Sequence, residues 1–154
     1  MPHLAELNLA KLRHPKGDPR VAEFFDAIER VNALADRSPG FVWRLKDEGG
    51  NATAIRYSDD PTVIANLTVW ETPEALEKYV FQTVHTAFYR KRNEWFERMA
   101  GPHMVFWWIE PGHVPTLAEA AARLDDFAAN GPSDRAFSWS DLKSAELWRA
   151  QRCA

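Results

Sequence analysis

Residues 63–70 read Val-Ile-Ala-Asn-Leu-Thr-Val-Trp, with Glu71-Thr72-Pro73-Glu74 behind them. Successive side chains of a strand leave opposite faces, so Ala65, Leu67 and Val69 share one face while Ile64, Asn66, Thr68 and Trp70 share the other. The first is an ordinary core face. The second sets an amide, a hydroxyl and an indole on a wall that folding should largely bury, where each polar group costs free energy unless it is hydrogen-bonded. Asn is also disfavoured at strand centres. A ligand pocket and a self-satisfied structural network both answer that cost, and the pocket is the reading taken here.

Working outward, residues 3–12 alternate in the same way, with Ala5, Leu7 and Leu9 on one side and Leu4, Glu6, Asn8 and Ala10 on the other. Asn8 thus lies on the more polar face of a first strand, as Asn66 does on the later one. Asp18-Pro19 is a helix-start signature, and Val21, Phe24, Phe25, Ile28, Val31 and Ala35 follow at helical spacing as far as Ser38-Pro39-Gly40. Gly40 releases the chain into a second strand over 41–45, where strict alternation sets Phe41, Trp43 and Leu45 against Val42 and Arg44. Residues 46–62, carrying Gly49, Gly50, Asn51, Asp59, Asp60 and Pro61, read as a long hairpin connection. A short strand is expected at 54–57, and the length suits either a lid over a binding site or a plain surface insertion.

Thr72-Pro73 opens another helix, for which Leu76, Val80, Val84, Phe88, Trp95 and Met99 supply apolar spacing as far as Gly101-Pro102. The run His-Met-Val-Phe-Trp-Trp-Ile at 103–109 predicts a strand covered on both faces. Thr116 with Glu119 predicts a capping box for a last helix through Leu117, Ala121, Leu124 and Phe127. The tail from Asn130, with Ala-Phe-Ser-Trp-Ser at 136–140, is expected to pair or pack on the main body.

This order of strand, helix, strand, strand, helix, strand and extra helix is that of an α+β, ferredoxin-like βαββαβ fold with an antiparallel sheet. One domain spans 1–154, its core at about 3–110 and a helix and tail at 111–154. The sheet face carrying Ile64, Asn66, Thr68 and Trp70 is taken as the one without helices. A second copy is its economical cover, which predicts a homodimer with a barrel-like interior, a dimeric α/β barrel.

Composition narrows the function classes. Among 154 residues, 45% are hydrophobic, with seven Trp and nine Phe, enough large rings to line a cavity. A net charge of −3 argues against nucleic acid or an anionic membrane as partner. The basic cluster Arg90-Lys91-Arg92 reads as a solvated helix face. Cys153 stands alone, which excludes a disulfide framework and a thiolate metal cluster. The five His form no metal-ligand pair, and Gly-x-Ser-x-Gly, P-loop and Gly-x-Gly-x-x-Gly motifs are absent, so no metal is predicted. Without the features of a signal peptide or an apolar run of spanning length, a cytoplasmic protein is expected.

The strings His-Leu-Ala-Glu-Leu-Asn, Ser-Pro-Gly-Phe-Val-Trp-Arg-Leu, Asn-Leu-Thr-Val-Trp-Glu, His-x-x-Phe-Tyr-Arg-Lys-Arg-Asn-Glu-Trp-Phe, Val-Phe-Trp-Trp-Ile and Gly-Pro-Ser-x-x-Ala-Phe-Ser-Trp resemble a bacterial family of unknown function in the dimeric α/β-barrel superfamily. That resemblance covers nearly the whole chain. More distantly, the chain is similar to antibiotic biosynthesis monooxygenases, in which enzymes without cofactor oxidise polycyclic phenols and an Asn with a Trp four residues later recurs in the active site. Asn66 and Trp70 match that spacing. Haem-degrading members of the superfamily use an Asn on the first strand, a Trp on the third and a His on the next helix; Asn8, Trp70 and His85 resemble that set, with a longer gap before the His.

The resemblance implies a cofactor-independent, monooxygenase-like enzyme acting on a small hydrophobic or aromatic, phenolic substrate. Asn66, Trp70 and His85 would be catalytic: the amide and indole as donors toward phenolate and peroxide, the imidazole as base. Asn8, Trp43, Thr68 and Trp107 would line the ligand. Trp43 and Arg44 point to opposite faces, so at most one of them lines a pocket, and an interior Arg44 needs an anionic partner. Trp107 and Trp108 also read simply as core and interface. No cofactor is predicted; haem is the alternative, in a haem-binding or haem-dependent enzyme, and a non-catalytic small-ligand-binding dimer is the rival class.

Overall fold

The alternation of the quoted stretch becomes strand pairing in the computed structural model, which describes residues 1–47, 50–53, 55–83 and 85–153, with side chains as far as residue 150. Strand β3, Val63–Trp70, runs antiparallel to β1, His3–Leu12, from Leu4 opposite Trp70 to Lys11 opposite Val63. Strand β2, Phe41–Arg44, flanks β3. On the far side of β1 lies β5, Met104–Ile109, with the two-residue β4, Phe96–Glu97, continuing that edge beside Lys11 and Leu12. The order β2-β3-β1-β5, antiparallel throughout, is the α+β, ferredoxin-like arrangement the sequence predicts.

Helix α1, Ala22–Arg37, follows a 3-10 turn at Pro19–Val21 whose first amide bonds are fixed by Asp18, and α2, Pro73–Gln82, is capped by the Thr72 hydroxyl. The single long helix expected from Thr72 to Gly101 is broken into three. Thr83 is extended; its hydroxyl donates to the Tyr79 carbonyl and accepts the His85 amide, so the side chain replaces the helical ladder. The chain restarts as α3, His85–Arg90, then α4, Arg92–Trp95, and turns straight into β4. Val84, counted on for the helical spacing, lies outside the described residues, as do Gly49, Ala54 and the Cys153 side chain. Residues 55–57 join no strand.

Two apolar layers close the sheet. Ala5, Leu7, Ala65, Leu67, Val69, Val105 and Trp107 pack with Ala120 and Leu124 of α5, Leu117–Asn130, on one face. On the other, Leu4, Trp70 and Phe106 pack with Val31 and Ala35 of α1 and Leu76 and Tyr79 of α2. The face bearing Asn66 is therefore the one under α1 and α2, and the opposite face is covered by α5. An uncovered sheet face, the premise of the expected homodimer barrel, is not there. The tail adds to the second layer's rim: Phe137 exchanges both backbone hydrogen bonds with Phe106, as expected of the 136–140 stretch, and α6, Glu146–Cys153, lies on α2. Among the described residues, no helix is long and apolar enough to cross a membrane.

One local irregularity changes which residues share a face. A bulge falls between Phe41, opposite Trp70, and Trp43, opposite Val69. Phe41 therefore meets the Trp70 ring edge-on at 5.4 Å, whereas Trp43 packs with the α5 layer. The strict alternation expected over 41–45 fails at Val42. Arg44, opposite Thr68, then lies on the helix side and finds its anion in Asp36 of α1, at 2.8 Å.

Candidate functional site

Cross-strand register sorts the helix-facing side into rows. Arg44, Thr68, Glu6 and Phe106 form one; Asn66, Asn8 and Met104 form the next toward the hairpin end. Beyond it come Ala10 with Ile64, and before them Leu4 with Trp70. The Leu4 and Trp70 end is sealed by one aromatic-rich cluster, and the Leu12 and Ile64 end borders another built on Val21, Phe24 and Trp95. Between the two, Asn66 is exposed. An exposed residue at the centre of an internal strand, on the face that carries the helices, marks a gap in the helix layer.

The floor of that gap is polar. Asn66 Nδ2 donates to Asn8 Oδ1 at 2.8 Å, leaving one NH2 and one carbonyl of the pair for a guest. One row deeper, the Trp70 indole donates to Thr68 Oγ1 at 3.0 Å, and the Thr68 hydroxyl donates to Glu6 Oε2 at 2.9 Å. The indole can only donate, so the relay runs Trp70 to Thr68 to Glu6. Glu6 is 4% exposed, and burial pushes its pKa up to about 8, with the Thr68 hydrogen bond pulling the other way. Among the described residues, the sealed side-chain polar atom without a partner is His3 Nδ1. Among the described residues, the Glu6 carboxyl accepts through Oε2 alone.

The expected site residues divide accordingly. Asn8 and Asn66 meet at the gap. Thr68 is there but spends its hydroxyl on holding Glu6. Trp70 is fully buried with its NH on Thr68, so it positions the relay and offers no open wall. Trp43 and Trp107 lie on the other sheet face, away from the amides; Trp107 is 0% exposed and donates to Glu119 Oε2 at 2.9 Å. Glu119 also reaches His113, at 2.7 Å, so its carboxylate serves these two side chains while Thr116 alone caps α5. The residue missed by sequence reasoning is Glu6, a carboxyl in mid-strand on the same face as Asn8. That placement was the available signal.

Residues 3–153 match the family model for DUF3291, a domain of unknown function. The chain is a DUF3291 protein. No curated protein matches this DUF3291 chain. Among solved structures, a conserved protein from Methanosarcina mazei Go1 is similar at 10% identity and a TM-score of 0.50, over 71% of this chain and 95% of that one. SnoaB, a cofactor-independent oxygenase from Streptomyces nogalater, is similar at 16% identity and 0.48, over 75% and 100%. The ActVA-Orf6 monooxygenase of Streptomyces coelicolor, solved with nanaomycin D, stands at 18% and 0.46, over 75% and 93%. At these identities the likeness is one of fold.

His85 of the DUF3291 chain stands apart from the amides. Its ring centroid lies 4.8 Å from Tyr79 and 5.8 Å from Phe88, and Tyr79 in turn stacks on Trp70 at 5.2 Å. Burial pulls its pKa down to about 4, partly offset by the Val80 carbonyl 3.4 Å from Nδ1, so the ring is neutral at pH 7. These residues do not fit a haem: Trp70 is sealed, and the Tyr79 ring lies between it and His85. Among the described residues there is also no cluster of His, Cys, Asp and Glu able to hold a metal ion.

Proposed function

We propose that the gap over Asn8 and Asn66 binds a small, flat, phenolic molecule and that the chain acts on it as a cofactor-independent monooxygenase. The observation that carries this reading is the open amide pair one row from a buried carboxyl that accepts a single described hydrogen bond. A carboxyl with a pKa near 8 exchanges a proton close to neutral pH, which suits a general base better than an imidazole held near 4. Glu6 takes the phenol proton while the amides hold the phenolate oxygen. The phenolate passes one electron to dioxygen, the radical pair joins at a ring carbon as a peroxide, and loss of water leaves a quinone. One phenol and one dioxygen give one quinone and one water, and all four electrons come from the substrate.

The second reading is a non-catalytic binder, favoured by the two expected catalytic residues that do not reach the amides, Trp70 and His85. Oxygen uptake with 1-naphthol separates the two. The enzyme reading expects uptake that Asn66→Ala lowers by about 1–3 kcal/mol of lost hydrogen bonding. Glu6→Gln should abolish turnover with affinity kept, and His85→Phe should leave both near wild type. Binding of the phenol without uptake assigns the binder; uptake unchanged in the Asn66 and Glu6 variants removes the site.

A further inference from the structure

One row from the amides, the same side of the sheet changes character. Ile64, and then Leu12, follow Asn66 and Asn8 along the strands, roughly 7 Å on for each two-residue repeat. There, Leu12, Phe25, Ile55 and Ile64 wall a cavity of about 210 Å³ between the sheet end, α1 and the 46–62 connection. Its charged lining residues are Lys16 and Arg56, with no Asp or Glu among those that line it. Lys16 Nζ sits 5.4 Å from the Phe25 ring centroid, a cation held over an apolar wall. Neither cation is in a described ion pair: Arg56 donates to the Asp59 backbone carbonyl at 3.4 Å, Asp18 near Lys16 is taken by Arg20, and Asp60 is taken by Lys11 and Thr62. In a chain of net charge −3, an apolar cavity lined by two cations and no carboxylate is a local exception.

We infer that this groove is the subsite for an acidic substituent, a carboxylate or sulfonate, on the flat ligand whose rings extend toward Asn8 and Asn66. The inference rests on the ligand-site reading above and adds its substrate class: aromatic acids, not neutral phenols alone. The apolar walls take the ring and the two cations take the anion at the rim, where part-solvated ion pairs contribute modestly and weaken with salt.

Two dyes that share one ring framework test it: 8-anilinonaphthalene-1-sulfonate and its uncharged counterpart N-phenyl-1-naphthylamine, titrated by fluorescence at low salt. Lys16→Gln with Arg56→Gln should weaken the sulfonate about three- to tenfold and leave the neutral dye unchanged. Lys78→Gln with Lys143→Gln, exposed cations outside the groove, should change neither. Equal effects of the groove pair on both dyes, no effect on the sulfonate, or an equal effect from the control pair overturns the subsite while the amide site stands. Failure of the wild-type protein to bind either dye overturns both readings.

Discussion

Glu6 concentrates the chemistry of the molecule in one side chain. Its carboxyl is taken out of water with no cation beside it, and the Thr68 hydroxyl supplies one hydrogen bond where an ionised carboxylate would accept several. The stability consequence has a definite sign. A carboxyl whose folded pKa, about 8, exceeds its unfolded value near 4.5 holds a proton in the fold that the unfolded chain has released, so stability falls as pH rises between those values. His85 acts at the other end: with its pKa lowered to about 4 from 6.5, stability falls as pH drops through that window. The two windows overlap from about 4.5 to 6.5, where the slopes offset, so the thermal midpoint should be level there and fall on either side. Glu6→Gln should flatten the alkaline limb and let the acid one run up to about pH 6.5, as read by melting curves from about pH 4 to 9; an unchanged alkaline limb would mean that Glu6 is not held protonated. From sequence, Asn8 and Asn66 stood out because amides are rare in mid-strand, whereas a single Glu between Leu4 and Asn8 reads as a solvent-facing alternation. Its burial depends on α1 and α2, which strand periodicity does not report.

Elements were legible where local chemistry specifies them and illegible where a tertiary choice decides. Asp18-Pro19 and Thr72-Pro73 start their helices as their side chains dictate. The break at Thr83 depends on a hydroxyl turning back on the Tyr79 carbonyl, a competition with the helix that apolar spacing does not register. The β2 bulge has no signature in Phe-Val-Trp-Arg either, and it alone moves Trp43 to the α5 side. The turn before it is tighter than sequence suggests. Gly40 has φ +83°, and a Cβ built there would stand 2.5 Å from the Ala75 Cβ of α2, while its carbonyl accepts the Glu71 amide at 2.7 Å. Gly40→Ala should cost about 2–4 kcal/mol from backbone strain and overpacking together. Denaturant titration checks this, and an unchanged midpoint would show that β2 and α2 are free to separate.

At the scale of the whole molecule, the order of elements gave the ferredoxin-like sheet, but the assignment of faces depended on where the last helix went. Leu117, Ala121, Leu124 and Phe127 announce an amphipathic helix without naming the surface it covers; in the fold α5 takes the Ala5, Leu67 and Trp107 face and leaves the polar rows to α1 and α2. Described residues of the 46–62 connection are likewise shared, with Tyr57 packed on the α5 layer and Ile55 walling the groove with Leu12 and Ile64. What remains open in this two-sided packing is the amide pair, and a ligand there is the claim on which the functional account depends. The direct measurement is a titration of the isotope-labelled protein with 1-naphthol, following the side-chain NH2 resonances of Asn8 and Asn66. Saturable shifts of both, with the Trp107 indole signal unmoved, are the predicted result; unmoved amides at saturation, or shifts centred on Trp107 and Trp43, would contradict it.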